Sequence, residues 1–289
     1  MAMTKKFADL EAILAAQSTD ELIIHDAAGV KKISVENFKK DLVQLIEGMD
    51  KVLANVTADG AGAHNSIYRG KFLGNSVTAA QYEAIRSGKF TDLYIGDYWT
   101  IGGVNYRIAH FDYYLNCGDT ACNTHHALII PDTALYNAQM NTSNVTTGGY
   151  KGSAMYTANL AQAKTTINAA FSGHVLSHRI YITNATSNGR ASAGEWADST
   201  VDLMNEQMVY GTGIFSPVSD GSNVPANYRV EKSQVALFQH DPSLIVNRAT
   251  WWLRDVITAA LFAHVSYYGL ADSGRASSSY GVRPAFCIS

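Results

Sequence analysis

The chain predicts an α+β fold in which short strands outnumber helices and irregular structure is abundant. Three observations lead there. Helical periodicity is confined to a few stretches, apolar residues alternate in several short runs, and the segments between are rich in Gly, Ser, Thr and Asn. With 289 residues and 47% hydrophobic content, the chain can bury a substantial core. Composition divides it near residue 60: all sixteen tyrosines and all four tryptophans follow Ala63, whereas residues 1–56 hold many of the lysines and glutamates. Two parts are therefore expected, an N-terminal attachment or oligomerisation module over 1–56 and a ligand-binding domain over 67–289, joined by a Gly/Ala-rich linker over 57–66.

In the first part, "KKFADLEAILAAQ" places Phe7, Leu10, Ile13 and Leu14 at helical spacing. "ELIIHDAAGVKKISV" reads as two short strands around a turn at Asp26 to Gly29. Ser34 then caps a helix in which Phe38, Leu42, Leu45, Met49 and Val52 recur at alternating spacings of four and three, widened by Ile46 and Leu53. Such a stripe serves either a helix-to-helix seam in a symmetric oligomer or packing of the helix on its own hairpin.

The second part opens with "TAAQYEAIRSG", a helix capped by Thr78, stopped by Gly88, and facing Tyr82 and Ile85 inward. "DYWTIGGVNYRIAHFDYY" is the clearest hairpin, two alternating runs turned at Gly102-Gly103. "HHALIIPD" reads as a short apolar strand ending at Pro131, "TANLAQAKTTINAAFSG" (157–173) as a second helix, and "SPVSDGSNVPANY" (216–228) as a surface loop.

Charge narrows the function. A formal net charge of −3 with 16% charged residues offers no electrostatic basis for binding nucleic acid or an anionic membrane. No apolar stretch reaches membrane-spanning or signal-peptide length, so synthesis in the cytoplasm is expected. Three cysteines, Cys117, Cys122 and Cys287, do not indicate a disulfide framework.

The densest chemical set is "HFDYYLNCGDTACNTHH", with His110, Asp112, Cys117, Cys122, His125 and His126. Thiolates and imidazoles can hold zinc tetrahedrally, which makes Cys117, Cys122, His125 and His126 weak metal candidates. The Cys-x4-Cys-x2-His spacing matches no standard finger, and a turn between strands carries polar residues for structural reasons alone. A Cys/His nucleophile pair is the enzymatic alternative. Neither a metal, a cofactor nor a catalytic residue is expected, since no nucleophile elbow, metalloprotease motif, phosphate loop or carboxylate pair occurs.

The C-terminal segment is more specific. "WWLRD" (251–255) and "GVRPAFCI" (281–288) read as two strands of the core, with Arg254 paired or stacked on an aromatic and Pro284 at a strand edge or bulge. Between them, residues 256–280 contain no Lys, Glu, Gln, Met or Trp. The twelve residue types present can all be reached from an Asn codon by changing its adenines. An ordinary Ser/Gly/Tyr surface loop would share this composition.

"WWLRD…YGVRPAFCIS", with the upstream "IGDYWTIGGVNYRIAHFDYY" and "HHALIIPD", resembles phage tail proteins with a C-type-lectin-like fold of the formylglycine-generating-enzyme type, in particular the variable proteins of diversity-generating retroelements. The N-terminal "DELIIHDAAGVKKISVENFKKDL" is similar to attachment segments of phage structural proteins. The resemblance implies a non-enzymatic tail adhesin, carried on the virion, that binds a bacterial surface receptor, protein or glycan, as a homo-oligomer with a trimer favoured. The contact set it implies is Ile257, Thr258, Leu261, His264, Ser266, Tyr267, Tyr268, Leu270, Asp272, Ser273, Gly274, Arg275, Ser278 and Tyr280. Ala259, Ala260, Phe262, Ala263, Val265 and Gly269 fall to the scaffold. Tyr beside Ser and Gly is also the composition of antibody loops. The alternative from another class is a Cys/His cell-wall hydrolase or a formylglycine-generating-type enzyme.

Overall fold

The computed structural model describes residues 21–26, 29–56, 59–187, 190–215 and 233–289. The expected helix carrying Phe7 to Leu14, the side chains of Val52 and Leu53, and the loop at 216–228 lie outside the described residues. The chain divides into two compact units, Met1–Ala58 and Asp59–Ser289.

In the first unit, strands β1 (Glu21–Asp26) and β2 (Gly29–Ser34) pair antiparallel, Glu21 opposite Ser34. Helix α1 (Val35–Val56) follows directly. Ser34 ends the strand and caps the helix at once, its Oγ accepting from Asn37 N at 3.2 Å. Leu45, Ile46 and Met49 on α1 remain exposed, while Phe38 and Leu42 are half-buried.

The second unit is mixed α and β with several sheets. Residues expected as a linker instead form helix α2 (Ala61–Asn65). His64 is buried there, its Nδ1 2.6 Å from Leu93 O and its ring stacked on Tyr94. Asn65 acts as a side-chain strand mimic, donating to Phe111 O at 3.0 Å and accepting from Phe111 N at 2.7 Å. A segment with so little apolar content folds here because its polar groups find backbone partners.

Helix α3 (Ala79–Arg86) carries the expected cap as a full capping box, Thr78 with Gln81, and buries Tyr82 and Ile85. Strands β3 (Phe72–Gly74), β4 (Tyr98–Ile101), β5 (Val104–Phe111) and β6 (Ala127–Pro131) form four strands of a six-stranded sheet. Gly102 and Gly103, both at positive φ, make the β4–β5 turn. The second helix begins later than its sequence implies. A π-helical turn at Met155–Asn159 precedes α4 (Ala161–Phe171), which buries Ala163, Ile167 and Phe171. Strands β8 (His178–Ser187) and β9 (Arg190–Ser199) form a separate hairpin. Short helices α5 (Glu206–Tyr210) and α6 (Ala236–His240) follow, with a 3-10 helix at Pro242–Ile245 after α6.

The six-stranded sheet runs β10-β15-β6-β5-β4-β3, with β10 at Val201–Leu203 and β15 at Pro284–Ile288. A five-stranded sheet runs β13-β12-β11-β14-β7, with β7 (Tyr136–Gln139), β11 (Trp251–Val256), β12 (Leu261–Val265), β13 (Ala271–Arg275) and β14 (Ser279–Val282). The C-terminal segment therefore supplies strands to both sheets. Pro284 is not at an edge: its strand lies between β10 and β6, and the residue is tolerated as the first of that strand.

Candidate functional site

The segment bracketed by "WWLRD" and "GVRPAFCI" is built on a dry frame. Trp251, Trp252, Leu253, Phe262, Ala263, Val265, Val282, Phe286 and Ile288 are all buried. Arg283 fastens the frame. Its guanidinium lies over the Trp251 and Phe238 rings, 4.9 and 5.6 Å from their centroids, while Nε donates to Pro131 O at 2.9 Å and a terminal nitrogen to Leu244 O at 3.0 Å. Arg283 is thus a second cation of the frame, beside Arg254, and Arg254 lies close enough to the Asp202 carboxylate to interact with its charge. Arg254 is buried too, with one nitrogen 3.4 Å from Leu203 O. Gly281 lets β14 approach β11 closely, since a Cβ there would fall 3.2 Å from both Thr250 O and Trp251 Cβ and 2.6 Å from Ala134 Cβ.

Residues 257–280 are not one loop but two turns, three strands and a connecting turn. Antiparallel pairing of β12 with β13 sets Leu261 opposite Arg275 and Val265 opposite Ala271. Five residues of strand separate the two ends, about 16 Å. At one end the turn 266–270 presents Tyr268, Leu270 and Tyr267, 75%, 65% and 46% exposed, with Ser266 half-buried. At the other end Thr258 and Arg275 are exposed, and Ile257, Leu261 and Ser278 half-buried. Between the ends Asp272 is exposed, and Ser273 and Tyr280 are half-buried.

Two members of the expected contact set are buried instead, His264 and Gly274. His264 pairs with Trp252 on one side and Asp272 on the other. Its ring packs against Tyr280 at 4.9 Å and edge-on to Trp252 at 6.0 Å. Burial pushes its pKa down, opposed by the Asp272 carboxylate 3.8 Å from Nε2. Gly274 leaves the space that the Tyr280 and Trp252 rings fill. Ala259, expected in the scaffold, is exposed, while Ala260 and Gly269 are half-buried.

Residues outside the segment complete both ends. Val246, 43% exposed, packs on the turn 266–270, where a Cβ on Gly269 would lie 2.4 Å from Val246 Cγ2 and Tyr210 Oη donates to Gly269 O at 3.1 Å. At the opposite end, Thr146 Oγ1 donates to Thr258 O at 2.7 Å and Thr146 N to Ala259 O at 3.0 Å. Asn144 Oδ1 accepts from both N and Oγ of Ser277. This stapled loop carries Val145, 46% exposed. Val145 and Val246 give no signal in the sequence, because contacts between residues more than 20 positions apart set them beside the two turns.

Most of the cysteine and histidine set is committed to backbone partners. His126 Nε2 accepts from Tyr114 N at 3.0 Å and Nδ1 lies 2.8 Å from Thr124 O. His110 Nδ1 accepts from Ala236 N at 3.0 Å. Asp112, at φ 58°, accepts from His126 N and lies 2.7 Å from His125 Nδ1. Burial pushes the His110 pKa down to about 4 and raises those of the Cys122 and Cys287 thiols. Among the described residues no group of three or more His, Cys, Asp or Glu is arranged to hold a metal ion. Beside this set an open cleft of about 300 Å³ is lined by Thr120, Cys122, Ser177, His178, Arg179 and Asp198. Arg179 is consumed by Asp119 and Asp198.

No helix among the described residues is long and apolar enough to cross a membrane. Residues 217–289 match a family described as a domain of unknown function (DUF6273). The matched stretch contains both anchors of the bracketed segment. No curated protein and no solved structure matches the chain.

Proposed function

We propose that this protein is a phage tail adhesin whose second unit is a C-type-lectin-like domain that binds a receptor on the bacterial surface. The observation that carries the reading is the contrast within 251–288. Exposed Thr258, Tyr267, Tyr268 and Leu270 on the turns, and Asp272 and Arg275 on β13, border strands β11 and β12, whose side chains are nearly all buried. Large aromatic side chains with few rotatable bonds, held on a frame that does not depend on them, lose little entropy on binding. Diversification by a retroelement fits this arrangement, because the exposed positions could change without disturbing the fold.

The N-terminal unit serves as the attachment and oligomerisation module in this reading. Leu45, Ile46 and Met49 of α1 supply the apolar stripe for self-association as a trimer. Several receptor sites on one assembly then act at high effective concentration.

The test is direct labelling. Fluorescent full-length protein is incubated with a panel of intact bacterial strains and read by flow cytometry. The reading predicts that a subset of strains is labelled and that excess unlabelled protein competes; a panel with no labelled strain contradicts it. For diversification, the encoding DNA is expected to hold a near-copy of the segment for 256–280 differing at adenines, beside a reverse transcriptase gene. Without that copy the protein would be an undiversified adhesin.

A further inference from the structure

Cys117 and Cys122 lie across one tight loop whose ends are tied by their own backbones. Asn116 N donates to Cys122 O at 2.8 Å, and Cys122 N donates to Cys117 O at 3.0 Å. The reversal requires φ of 60° at Asn116 and 113° at Gly118, and a Cβ on Gly118 would fall 2.5 Å from Thr120 O. From outside, Arg179 clamps the loop through a bidentate pair with Asp119 at 2.7 and 2.9 Å. The loop therefore holds the two cysteines as near neighbours, with little freedom to separate.

In the reduced state the thiols have separate carbonyl acceptors. Cys117 Sγ donates towards Leu115 O and Cys122 Sγ towards Thr124 O, each at 3.7 Å. Access is unequal. Cys122 lines the cleft of about 300 Å³, whereas Cys117 is 1% exposed. Cys287 is fully buried, paired opposite Leu128 in the interior of the six-stranded sheet.

We infer that Cys117 and Cys122 are a modification site, closing to an intramolecular disulfide when the protein meets a disulfide oxidant such as glutathione disulfide. The Cys122 thiolate attacks one sulfur of the oxidant from the cleft, forming a mixed disulfide and expelling one glutathione thiolate. Cys117, deprotonated, then attacks Cys122 Sγ and expels the second. Two cysteine thiols are oxidised, one glutathione disulfide is reduced to two glutathiones, and the two cysteine protons pass to the departing thiolates. Both side chains must rotate away from their present carbonyl acceptors to meet. Burial disfavours the Cys122 thiolate, so closure is slow at neutral pH and faster in alkali.

This inference stands apart from the recognition reading, and no cell-binding result bears on it. The folded full chain is incubated with glutathione disulfide at about pH 8, quenched in acid, denatured, blocked with N-ethylmaleimide and digested for mass spectrometry. One maleimide per chain, at Cys287, is expected, with Cys117 and Cys122 joined and their peptide two hydrogens lighter. Three maleimides, a glutathione adduct that persists on Cys122, or a bond involving Cys287 would overturn it. A Cys117→Ser chain is expected to stop at the mixed disulfide on Cys122; an unmodified Cys122 there would overturn the assigned order of attack.

Discussion

Tyr280 occupies the space that a side chain at residue 274 would need: an ideal Cβ on Gly274 falls 2.7 Å from Tyr280 Cε2 and 2.9 Å from Trp252 Cη2. The two residues sit on strands separated by β12 and β11, yet Tyr280 reaches across the sheet face to lie over Trp252 at 4.6 Å. Gly274→Ala is therefore expected to displace Tyr280 or strain Trp252, at a cost of about 1–3 kcal/mol. Thermal melts and tyrosine ring chemical shifts check this; an unshifted Tyr280 with unchanged stability would contradict the packing.

Arg283 and Arg275 lie in one segment but have opposite roles. Arg283→Ala removes a cation buried over two rings and leaves the carbonyls of Pro131 and Leu244 without that partner, so a loss on the order of 3 kcal/mol or more is expected. Arg275→Ala, at an exposed position, should stay within about 0.5 kcal/mol of the parent. Denaturant midpoints decide the comparison, and equal effects would refute the division between frame and surface.

Acid should destabilise the second unit before its carboxylates titrate. Burial pushes the His178 pKa down to about 3 and that of His110 down to about 4. In the unfolded chain a histidine binds its proton near pH 6.5, so below that point the unfolded state takes up protons the folded state refuses. Stability is therefore full above about pH 6.5 and falls as pH drops towards 4, by up to about 1.4 kcal/mol per pH unit for each histidine. Asp202, raised by burial, binds its proton above the ordinary carboxylate value and partly offsets this loss, whereas Asp92, held down by Arg69, adds to the loss only below that value. Guanidinium unfolding of the parent and of His178→Phe across this range tests the sign. A flat profile between pH 6.5 and 5 would be inconsistent with two buried neutral histidines.

Much of this architecture is legible in the sequence where local chemistry decides it. The capping box at Thr78 and Gln81, the Gly102-Gly103 hairpin and the apolar run of β6 need only near neighbours. The α2 helix is not legible, because a Gly/Ala-rich stretch folds through the bonds from His64 and Asn65 to Leu93 and Phe111. His264 fails for a related reason. The resemblance implies an outward His264 between the anchors, but both faces of β12 are covered, one of them by a tyrosine arriving from β14. Long-range pairing likewise hides Val145 and Val246, which only the folded chain brings beside the two turns.

Recognition by exposed side chains on an independent frame is tested most directly at the turn 266–270. Tyr267→Ser, Tyr268→Ser and Leu270→Ser are combined in one full-length chain, and binding to a strain labelled by the parent is read by flow cytometry beside the melting temperature. The account predicts that labelling is lost while the melting temperature stays within a few degrees, because all three side chains are exposed. Undiminished labelling by a folded triple variant would contradict it.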